Sequence, residues 1–500
     1  MNQATWLGHP RGLATLFMTE FFERFTYYGM RALLVLFLVA ATEGANPGFG
    51  MSREAAGAIY GLYTGAVYLG SLPGGWIADR LIGQRNAVFW GAVIIMLGNF
   101  ILSIPGGAAL FYLGLAVIVV GVGLLKPNIS AIVGELYRDQ PGARRDAGFS
   151  IFYAGINLGA LLAPLVAGTI GEAWNWRGGF FCAGLFMALG LVQYKLTEKY
   201  LGDAGLEPHP TSPEDRARGI KILWGAGVVI AIVIVLMLAG ILSFNVSQLA
   251  KGVGVAMSGL GIAYFAFVLL FGGLTSEERG RVGVIAIFFL CAAMFWAGFE
   301  QAATTFNLFA QDYTNRALLG GMFPDGVHPA SWYQSANPIF VVMFAPLFAY
   351  MWVELGKRNL DPSAPAKFGL GLVLLGTGFL VMMGAAQLII ASGEGSKVAP
   401  TWLLMTYLLH TFGELCLSPV GLSNVTKLSP PRYVGQMMGT WFLGAALGNL
   451  VAGLVGGHVG SGSVNDMPDQ YLTMAFIGGG AGLLMLVASP WIKKMMGGVK

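Results

Sequence analysis

The sequence predicts an all-α polytopic membrane protein, on the evidence of its composition and the length of its apolar segments. Of its 500 residues, 56% are hydrophobic and only 11% are charged, and the mean hydropathy is +0.67. Soluble domains carry roughly 25% charged residues. The apolar runs are mostly about 20 residues or longer, which suits membrane helices, whereas a membrane β-barrel would show alternating segments of about 10 residues.

Fourteen apolar segments follow one another in groups of six, two and six. The first six cover residues 13–41, 55–78, 86–104, 108–134, 147–171 and 179–197, the next two cover 222–244 and 252–274, and the last six cover 282–310, 332–355, 367–391, 400–425, 433–457 and 470–492. Two groups of six are typical of transporters that are built from two related bundles.

This order predicts four parts of the chain. A six-helix bundle over residues 1–197 precedes a cytoplasmic linker over 198–221, where charged residues and proline are frequent. An accessory hairpin of two transmembrane helices over 222–276 carries few charges, and we expect it to face lipid. A second six-helix bundle covers residues 277–500.

The basic residues predict that both chain termini lie in the cytoplasm. If the N-terminus is cytoplasmic and fourteen helices alternate, only five of the 29 lysines and arginines fall in outer loops, namely Arg53, Arg177, Lys251, Arg316 and Lys397. Cytoplasmic loops are enriched in basic residues, so the count favours this orientation. It also favours fourteen helices, because the loss of one would invert every later loop.

The first apolar segment contains four charged residues, in the stretch TEFFERFTYYGMR at 19–31. At about 100° per residue, one helix face carries all four charges and two tyrosines. These residues are Glu20, Glu23, Arg24, Tyr27, Tyr28 and Arg31. A charge at the centre of a membrane helix costs about 2.5–3.5 kcal/mol, so this face must look into a bundle or into water. The alternative is a self-neutralising network that only fixes packing.

Three further charges interrupt apolar segments, namely Lys126, Glu300 and Glu414. Together with the first helix, they make four carboxylates against three cations, so one carboxylate is left to hold a proton or await a cation. We expect all the buried cations in the first half and two acids in the second. A zwitterion between the halves would then place its carboxylate on the first and its amine on the second. His410, one turn before Glu414, either relays protons or is a neutral packing residue.

Several other classes of function are disfavoured by the sequence. It has no nucleotide-binding G-x-x-x-x-G-K-[ST] loop and no H-E-x-x-H motif, and its five histidines are far apart. No stretch is long enough for the nucleotide domain of an ATP-driven pump. Channels favour symmetric rings of charge, which this uneven division does not suggest. We predict no enzyme activity, cofactor, metal site or nucleic-acid partner, and three free cysteines, Cys182, Cys291 and Cys416.

Three motifs resemble those of the proton-dependent oligopeptide transporter family (POT/PTR) of the major facilitator superfamily. The segment E-x-x-E-R-F-x-Y-Y-G, Glu20 to Gly29, is similar to that family's signature. FSIFYAGINLGALLAP at 149–164 resembles a second family stretch. GGWIADRLIGQR at 74–85 resembles the superfamily loop between helices two and three, with one extra residue before Gly83. The resemblance covers essentially the whole chain, and the inserted helix pair is similar to that of bacterial members.

The resemblance implies a major facilitator fold with two six-helix bundles and an inserted hairpin, in a multi-pass protein of the bacterial inner membrane. It implies a proton-coupled symporter that imports di- and tripeptides by alternating access, with the peptide bound between the bundles. Its partners would be di- and tripeptides, protons and membrane lipid, and its functional unit a monomer. The alternative is a related carrier of nitrate or another small anionic or zwitterionic solute, such as a peptide-like metabolite. Glu20, Glu23 and Glu414 favour the peptide.

The resemblance also implies roles for individual residues. Proton coupling is expected of Glu20, Glu23, Arg24, Arg31 and Glu300, with Arg31 and Glu300 forming a salt bridge that proton binding breaks. The expected substrate-binding residues are Arg24, Tyr28, Arg31, Tyr68, Lys126, Asn157, Trp296, Asn337, Glu414, Ser418 and Trp441.

Within this set, Arg24 and Lys126 are expected near the peptide carboxylate and Glu414 near the peptide amine. Arg53 and Asp312 are expected at the outer rim as a gate. We predict that this pair meets in the inward-facing state and separates in the outward-facing state.

Overall fold

The computed structural model describes residues 5–138, 142–208, 212–239, 245–323, 325–393, 395–459 and 463–498, which are almost entirely helical. A two-stranded antiparallel hairpin, β1 (Thr5–Trp6) and β2 (His9–Pro10), precedes the helices. The helices are α1 (Gly12–Val39), α2 (Arg53–Ile77), α3 (Gln84–Ser103), α4 (Ala108–Leu136), α5 (Gly142–Ala163), α6 (Trp176–Thr197), α7 (Pro213–Leu238), α8 (Val246–Phe271), α9 (Ser276–Phe299), α10 (Thr305–Tyr313), α11 (Ala336–Lys357), α12 (Ala364–Ser392), α13 (Thr401–Leu428), α14 (Val434–His458) and α15 (Met467–Met495).

Eleven helical stretches within the described residues are long and apolar enough to cross a membrane. Helix α1 is not among them, because every 18-residue window of its sequence includes at least three of its four charges. Its 28 residues are nevertheless longer than the roughly 20 residues that span a bilayer. Charge, and not length, therefore separates α1 from the other membrane helices.

The chain divides into two compact units. Unit 1 comprises Met1–Phe37, Ala41–Phe49 and Ala66–Asn245, and unit 2 comprises Leu38–Ala40, Gly50–Gly65 and Val246–Lys500. Helix α2 is shared, since Arg53–Gly65 belongs to unit 2 and the remainder to unit 1. The predicted accessory pair is also divided, with α7 in unit 1 and α8 in unit 2.

Unit 1 is held together by close helix contacts. Helices α3 and α4 approach through Gly91 and Gly121, where a Cβ on Gly91 would lie 2.8 Å from the Gly121 carbonyl oxygen. Such contacts suit membrane helices, whose association relies on close packing of small residues. Near the end of α1, the Phe37 ring packs against Phe111 and Phe180 at centroid distances of 5.1 and 5.4 Å.

Unit 2 is built in the same way. Helix α12 packs between α13 and α15, and α14 packs on α9. The first half of α2 lies on α14, where a Cβ on Gly57 would come within 2.3 Å of the Gly453 carbonyl oxygen. Because no larger residue fits there, this contact sets the position of α2 along α14.

The membrane segment predicted over residues 282–310 lies within one helical stretch, Ser276–Tyr313, that is long and apolar enough to cross a membrane, but the α-helix is interrupted inside it. Helix α9 ends at Phe299, a 3₁₀ turn follows over Glu300–Ala303, and α10 begins at Thr305. Thr304 leaves the helical region, with φ −114° and ψ −89°. The Thr305 hydroxyl donates to Gln301 Oε1 at 2.9 Å, so polar side chains bond to each other across the break.

The polar linker ends earlier than predicted, because α7 begins at Pro213 and not near residue 222. Ser212 caps this helix, accepting a hydrogen bond from the Asp215 backbone N–H at 3.1 Å. Proline suits the first helical turn, and serine is a preferred N-cap. Within the segments predicted as linker and accessory helix, residues 209–211 and 240–244 lie outside the described residues.

Candidate functional site

The four charges of α1 are all buried in the structure. Glu20, Glu23, Arg24 and Arg31 expose 6% of their surface or less. Arg24 Nε lies 3.1 Å from Glu20 Oε1 and also donates to Glu23 Oε2. Two carboxylates therefore share one guanidinium, which makes this the densest group of buried charges on α1.

The Glu20, Glu23 and Arg24 cluster keeps hydrogen-bonding capacity. Glu20 Oε2, Glu23 Oε1 and Arg24 Nη2 are buried without a hydrogen-bond partner among the described residues. Buried polar atoms are normally paired with protein or with water. We therefore expect water or a bound solute to complete this cluster.

Two glycines of α5 allow α1 to approach closely. A Cβ on Gly159 would lie 2.6 Å from the Phe21 carbonyl oxygen and 2.8 Å from Arg24 Cβ. One turn earlier, a Cβ on Gly155 would lie 3.0 Å from the Phe17 carbonyl oxygen. The second family stretch, at 149–164, thus places the backbone of α5 directly against the helix that carries Arg24.

Cations of unit 1 lie over tyrosine rings. Lys126 Nζ is 4.2 Å from the centre of the Tyr68 ring, and the Arg31 guanidinium carbon is 5.4 Å from the Tyr28 ring. Lys126 is also close enough to Glu20 to interact with it electrostatically. Three cationic residues of the predicted site therefore lie on one unit, each beside a carboxylate or an aromatic face.

Asn157, the remaining predicted site residue of unit 1, is also buried. Its Nδ2 donates to the Tyr153 carbonyl oxygen at 3.0 Å, one turn earlier on α5. This leaves the side-chain carbonyl of Asn157 as an additional acceptor.

Unit 2 holds two carboxylates of the predicted site. Asn337 Nδ2 donates to Glu414 Oε2 and to Thr411 Oγ1, both at 3.0 Å, so the amide joins α11 to α13. Glu414 and Glu300 are close enough to interact electrostatically. Two neighbouring acids form an acidic region that a cationic group would neutralise.

His410 is a packing residue in this structure. Its Nε2 lies 3.1 Å from the Leu375 carbonyl oxygen, and its ring packs against Phe306 and Phe379 at 5.6 and 5.2 Å. Because a carbonyl oxygen only accepts, Nε2 carries the proton. These contacts support the packing interpretation and not the proton relay.

The remaining predicted site residues of unit 2 lie among aromatic side chains or on α13. Trp296 packs edge-on against Phe299 at 5.3 Å. Trp441 is buried, 6.3 Å from the Phe368 ring. Ser418 is half-buried on α13, one turn after Glu414 and next to the internal Pro419.

Glu300 is buried at the break between α9 and α10. The Tyr60 hydroxyl, from the first half of α2, donates to Glu300 Oε2 at 3.2 Å. At the helix end, Arg53 pairs with Asp312 of α10, and both side chains are about 30% exposed. The predicted meeting of Arg53 and Asp312 is thus present in unit 2, although their role as a gate stays a prediction.

Two expectations about the buried charges concern the pairing of Arg31 with Glu300 and the absence of a buried cation from the second half. Arg31 lies in unit 1 and Glu300 in unit 2, so their pairing stays a prediction. The expectation that the second half has no buried cation was wrong. Lys367 is 9% exposed in the first turn of α12, and its Nζ lies 2.8 Å from Asp361. Lys367 lies at the end of its helix, and Asp361 neutralises its charge there.

Two contacts were not predicted from the sequence, that of Tyr60 with Glu300 and that of Thr411 with the Asn337 amide, which also donates to Glu414. Tyr60 follows Arg53 by two helical turns, so both lie on one face of α2. That spacing was the available signal. Tyrosine and threonine are so common in membrane helices that their type alone did not indicate these contacts.

The profile of the PTR2: POT family matches residues 85–468. The chain belongs to the POT family. It is therefore a multi-pass membrane transporter and not an enzyme.

Several POT proteins are similar to this POT chain over nearly its whole length. Peptide transporter YePEPT of Yersinia enterocolitica subsp. palearctica serotype O:3 (strain YE-P4) is 39% identical, over 98% of this chain and 96% of the relative. A di-/tripeptide transporter of Lactococcus lactis subsp. cremoris is 38% identical over 88% of both chains. A solved peptide transporter POT in complex with sulfate superposes with a TM-score of 0.90, at 40% identity over 99% of this chain and 98% of that one.

Proposed function

We propose that this chain is a proton-coupled symporter that imports di- and tripeptides by alternating access. The observation that carries the proposal is the uneven division of the charges of the site between the two units. The cations Arg24, Arg31 and Lys126 lie in unit 1, whereas the neighbouring acids Glu300 and Glu414 lie in unit 2. Lys126 and Glu414 are half-buried, and the other three are buried. The similar proteins named above are described as peptide and di-/tripeptide transporters, which supports the same substrate class.

We assign the peptide amine to Glu414. The carboxylate is oriented by Asn337, and its proximity to Glu300 adds negative charge. An ammonium is the natural complement of these two acids, since it relieves the repulsion between neighbouring carboxylates. Ser418, Trp296, Asn337 and Trp441 are proposed to line the same part of the pocket.

We assign the peptide carboxylate to Arg24 and Lys126. Arg24 keeps Nη2 without a hydrogen-bond partner among the described residues, so it has a donor to offer. Lys126 is a compact cation over Tyr68. Tyr28, Arg31 and Asn157 complete this part of the proposed pocket. Charge-assisted hydrogen bonds of this kind are roughly twice as strong as neutral ones.

Proton coupling is proposed for Glu20, Glu23, Arg24, Arg31 and Glu300. This set holds three carboxylates and two guanidiniums, so its formal charge is negative when all three acids are ionised. A buried acid in such a set takes up a proton or a cation from outside. Rearrangement of these pairs would then link proton binding to the change of access.

We further propose fourteen transmembrane helices with both termini in the cytoplasm of a bacterial cell, and residence in the inner membrane. The sparse basic residues of the outer loops support the orientation. The fourteen long helices of the described residues fit this count, with α9 and α10 forming one span. The functional unit is proposed to be a monomer.

The test is uptake by purified protein in liposomes. A labelled dipeptide should accumulate when the outside is acidic, and accumulation should stop when a protonophore collapses the gradient. Nitrate and an unrelated amino acid serve as competitors in the same assay. Uptake that does not depend on the pH gradient, or that low concentrations of nitrate abolish, would contradict the proposal.

A further inference from the structure

The hydrogen bond between Tyr60 and Glu300 is the contact from which a further role follows. Tyr60 is fully buried on α2, and Glu300 is 4% exposed at the 3₁₀ turn that follows α9. The donor is a hydroxyl and the acceptor is a titratable carboxylate, separated by 3.2 Å. The bond therefore joins an ionisable group to the first half of α2. This half belongs to unit 2, whereas the rest of α2 belongs to unit 1.

Three contacts of the first half of α2 lie on one helical face. Arg53, Gly57 and Tyr60 are spaced by four and three residues, which places them in line. Arg53 pairs with Asp312, Gly57 lies on Gly453, and Tyr60 donates to Glu300. Of these, only the contact of Tyr60 depends on a buried group that we propose to be protonated during transport.

Several titratable or hydrogen-bonding side chains of unit 2 lie around Glu300 among the described residues. Glu414 on α13 acts on it electrostatically. Tyr407 on α13 donates to the Ala302 carbonyl oxygen at 3.2 Å, within the same 3₁₀ turn. His410 is occupied by the Leu375 carbonyl oxygen, and the Arg53 and Asp312 pair lies at the end of the helix. Arg31, the predicted partner of Glu300, belongs to unit 1.

We propose that Tyr60 is a positioning residue that senses the charge of Glu300 and holds the first half of α2 on unit 2 when that acid is ionised. This rests on the proposed function. A hydroxyl bonds about twice as strongly to a carboxylate as to a neutral acceptor. Protonation of Glu300 therefore weakens the contact that holds the first half of α2.

For transport, the consequence is that the charge of Glu300 influences whether the outer side of the protein is open or closed. Once the proton has left Glu300, the ionised acid keeps the first half of α2 docked and the outer rim closed. A proton on Glu300 releases this contact. Tyr60 thereby biases the unprotonated protein toward the state in which the outer side is closed.

The test measures docking directly, without substrate. Spin labels on the outer ends of α2 and α10 of the full-length protein in liposomes report the docked fraction as pH is varied. In the unsubstituted protein, the docking equilibrium constant should rise by roughly tenfold as the pH is raised and Glu300 becomes ionised. This is the ratio expected when a hydroxyl donates to a charged instead of a neutral acceptor. Tyr60→Phe keeps the ring and should remove most of this rise.

Tyr407→Phe is the matched control, because it deletes a buried hydroxyl that donates to a backbone carbonyl of the same turn, which cannot titrate. It should leave the pH dependence of docking unchanged. In a Glu300→Gln background, Tyr60→Phe should have no pH-dependent effect. Repeating the measurement in Glu414→Gln shows how much of the pH dependence of docking comes from the neighbouring Glu414.

Two results would overturn the proposal. Equal pH profiles for Tyr60→Phe and the unsubstituted protein would show that Tyr60 does not sense Glu300. An undiminished effect of Tyr60→Phe in Glu300→Gln would assign it a purely structural role. Failure of the symporter proposal is distinguishable, since it would appear as absent gradient-driven uptake in the unsubstituted protein whatever the docking data show.

Discussion

At the scale of single residues, the described contacts show how buried charge is tolerated. Glu20 and Glu23 share Arg24, Lys126 lies over an aromatic ring, and Glu414 accepts from an amide. Each charge has a local partner, yet the partners do not neutralise the set completely. A substrate or a proton that binds there can neutralise the remaining charge, which is favourable because uncompensated charge is costly away from water.

Neutralising either acid beside Arg24 should uncouple transport. Glu20→Gln or Glu23→Gln removes a titratable group, so gradient-driven accumulation of a dipeptide should fall to background, whereas peptide counterflow should persist. Both are measured in liposomes with and without a pH gradient. Thr19→Val, a substitution next to the cluster that changes no charge, is the control. Normal uphill transport by both glutamine variants would contradict this role.

Glu414 should distinguish free from blocked peptide amines. An N-acetylated dipeptide lacks the ammonium, so its affinity in the unsubstituted protein should drop by about 10-fold or more, the loss expected from a charge-assisted hydrogen bond. In Glu414→Gln, acetylation should cost much less further affinity. Competition against a labelled dipeptide provides the measurement, and equal affinity of blocked and free peptides in the unsubstituted protein would refute the assignment.

At the scale of elements, glycine contacts and helix breaks decide where these side chains lie. Gly159 brings α5 against Arg24, and Gly57 brings α2 against α14. The break after Phe299 separates a long helix from the short α10 that carries Asp312. The position of Glu300 at that break gives its carboxylate a place that an unbroken helix would not provide.

The Arg53 and Asp312 pair should act as a modest outer gate. Because the side chains are partly exposed, the pair is worth about 0.2–1 kcal/mol, so its loss should shift the populations of the open and closed states without stopping transport. A double-mutant cycle with Arg53→Ala and Asp312→Ala, read by spin-label distances across the outer mouth, gives the coupling energy. Strictly additive shifts would show that the residues do not form a gate.

The loop before α11 should make stability depend on pH through His328. Burial lowers the pKa of His328, whose Nε2 lies 3.0 Å from the Tyr333 hydroxyl. The folded state therefore binds this proton less readily than the unfolded state. The stabilising contribution is full above about pH 6.5 and declines as the pH falls below that value.

His328→Gln should consequently flatten the change in melting temperature between about pH 7 and pH 5, measured in detergent. His458→Gln, at the end of α14, is the control substitution. A steeper decline with acidification in His328→Gln would contradict the proposed burial effect.

At the scale of the whole molecule, the two units carry complementary charge. Unit 1 has Arg24, Arg31 and Lys126 of the proposed site, and unit 2 has Glu300 and Glu414. A transporter that changes access needs contacts that differ between its states. Charges on separate units are suited to this, because their pairing can differ between states while each unit keeps its own packing.

Arg31 and Glu300 are predicted to pair in one state of the cycle. Removing one partner of a buried pair costs about 3–5 kcal/mol when the site is dry, so Arg31→Ala and Glu300→Ala should each strongly impair transport. The exchange Arg31→Glu with Glu300→Arg should restore part of the stability that either single reversal loses. Thermal unfolding in detergent is the readout, and additive losses in the double variant would argue against the pair.

The sequence by itself determined the membrane class of the protein, and it predicted the helix count and the residues of the proposed site. Low charge content and run length identify membrane helices because the hydrocarbon core penalises charge and demands a set length. Four charges on one face of α1 indicated the site for the same reason. Only the tertiary structure showed that Asn337 orients Glu414, that Tyr60 contacts Glu300 and that α9 stops at Phe299. These depend on contacts between distant segments, which helical periodicity within one segment does not encode.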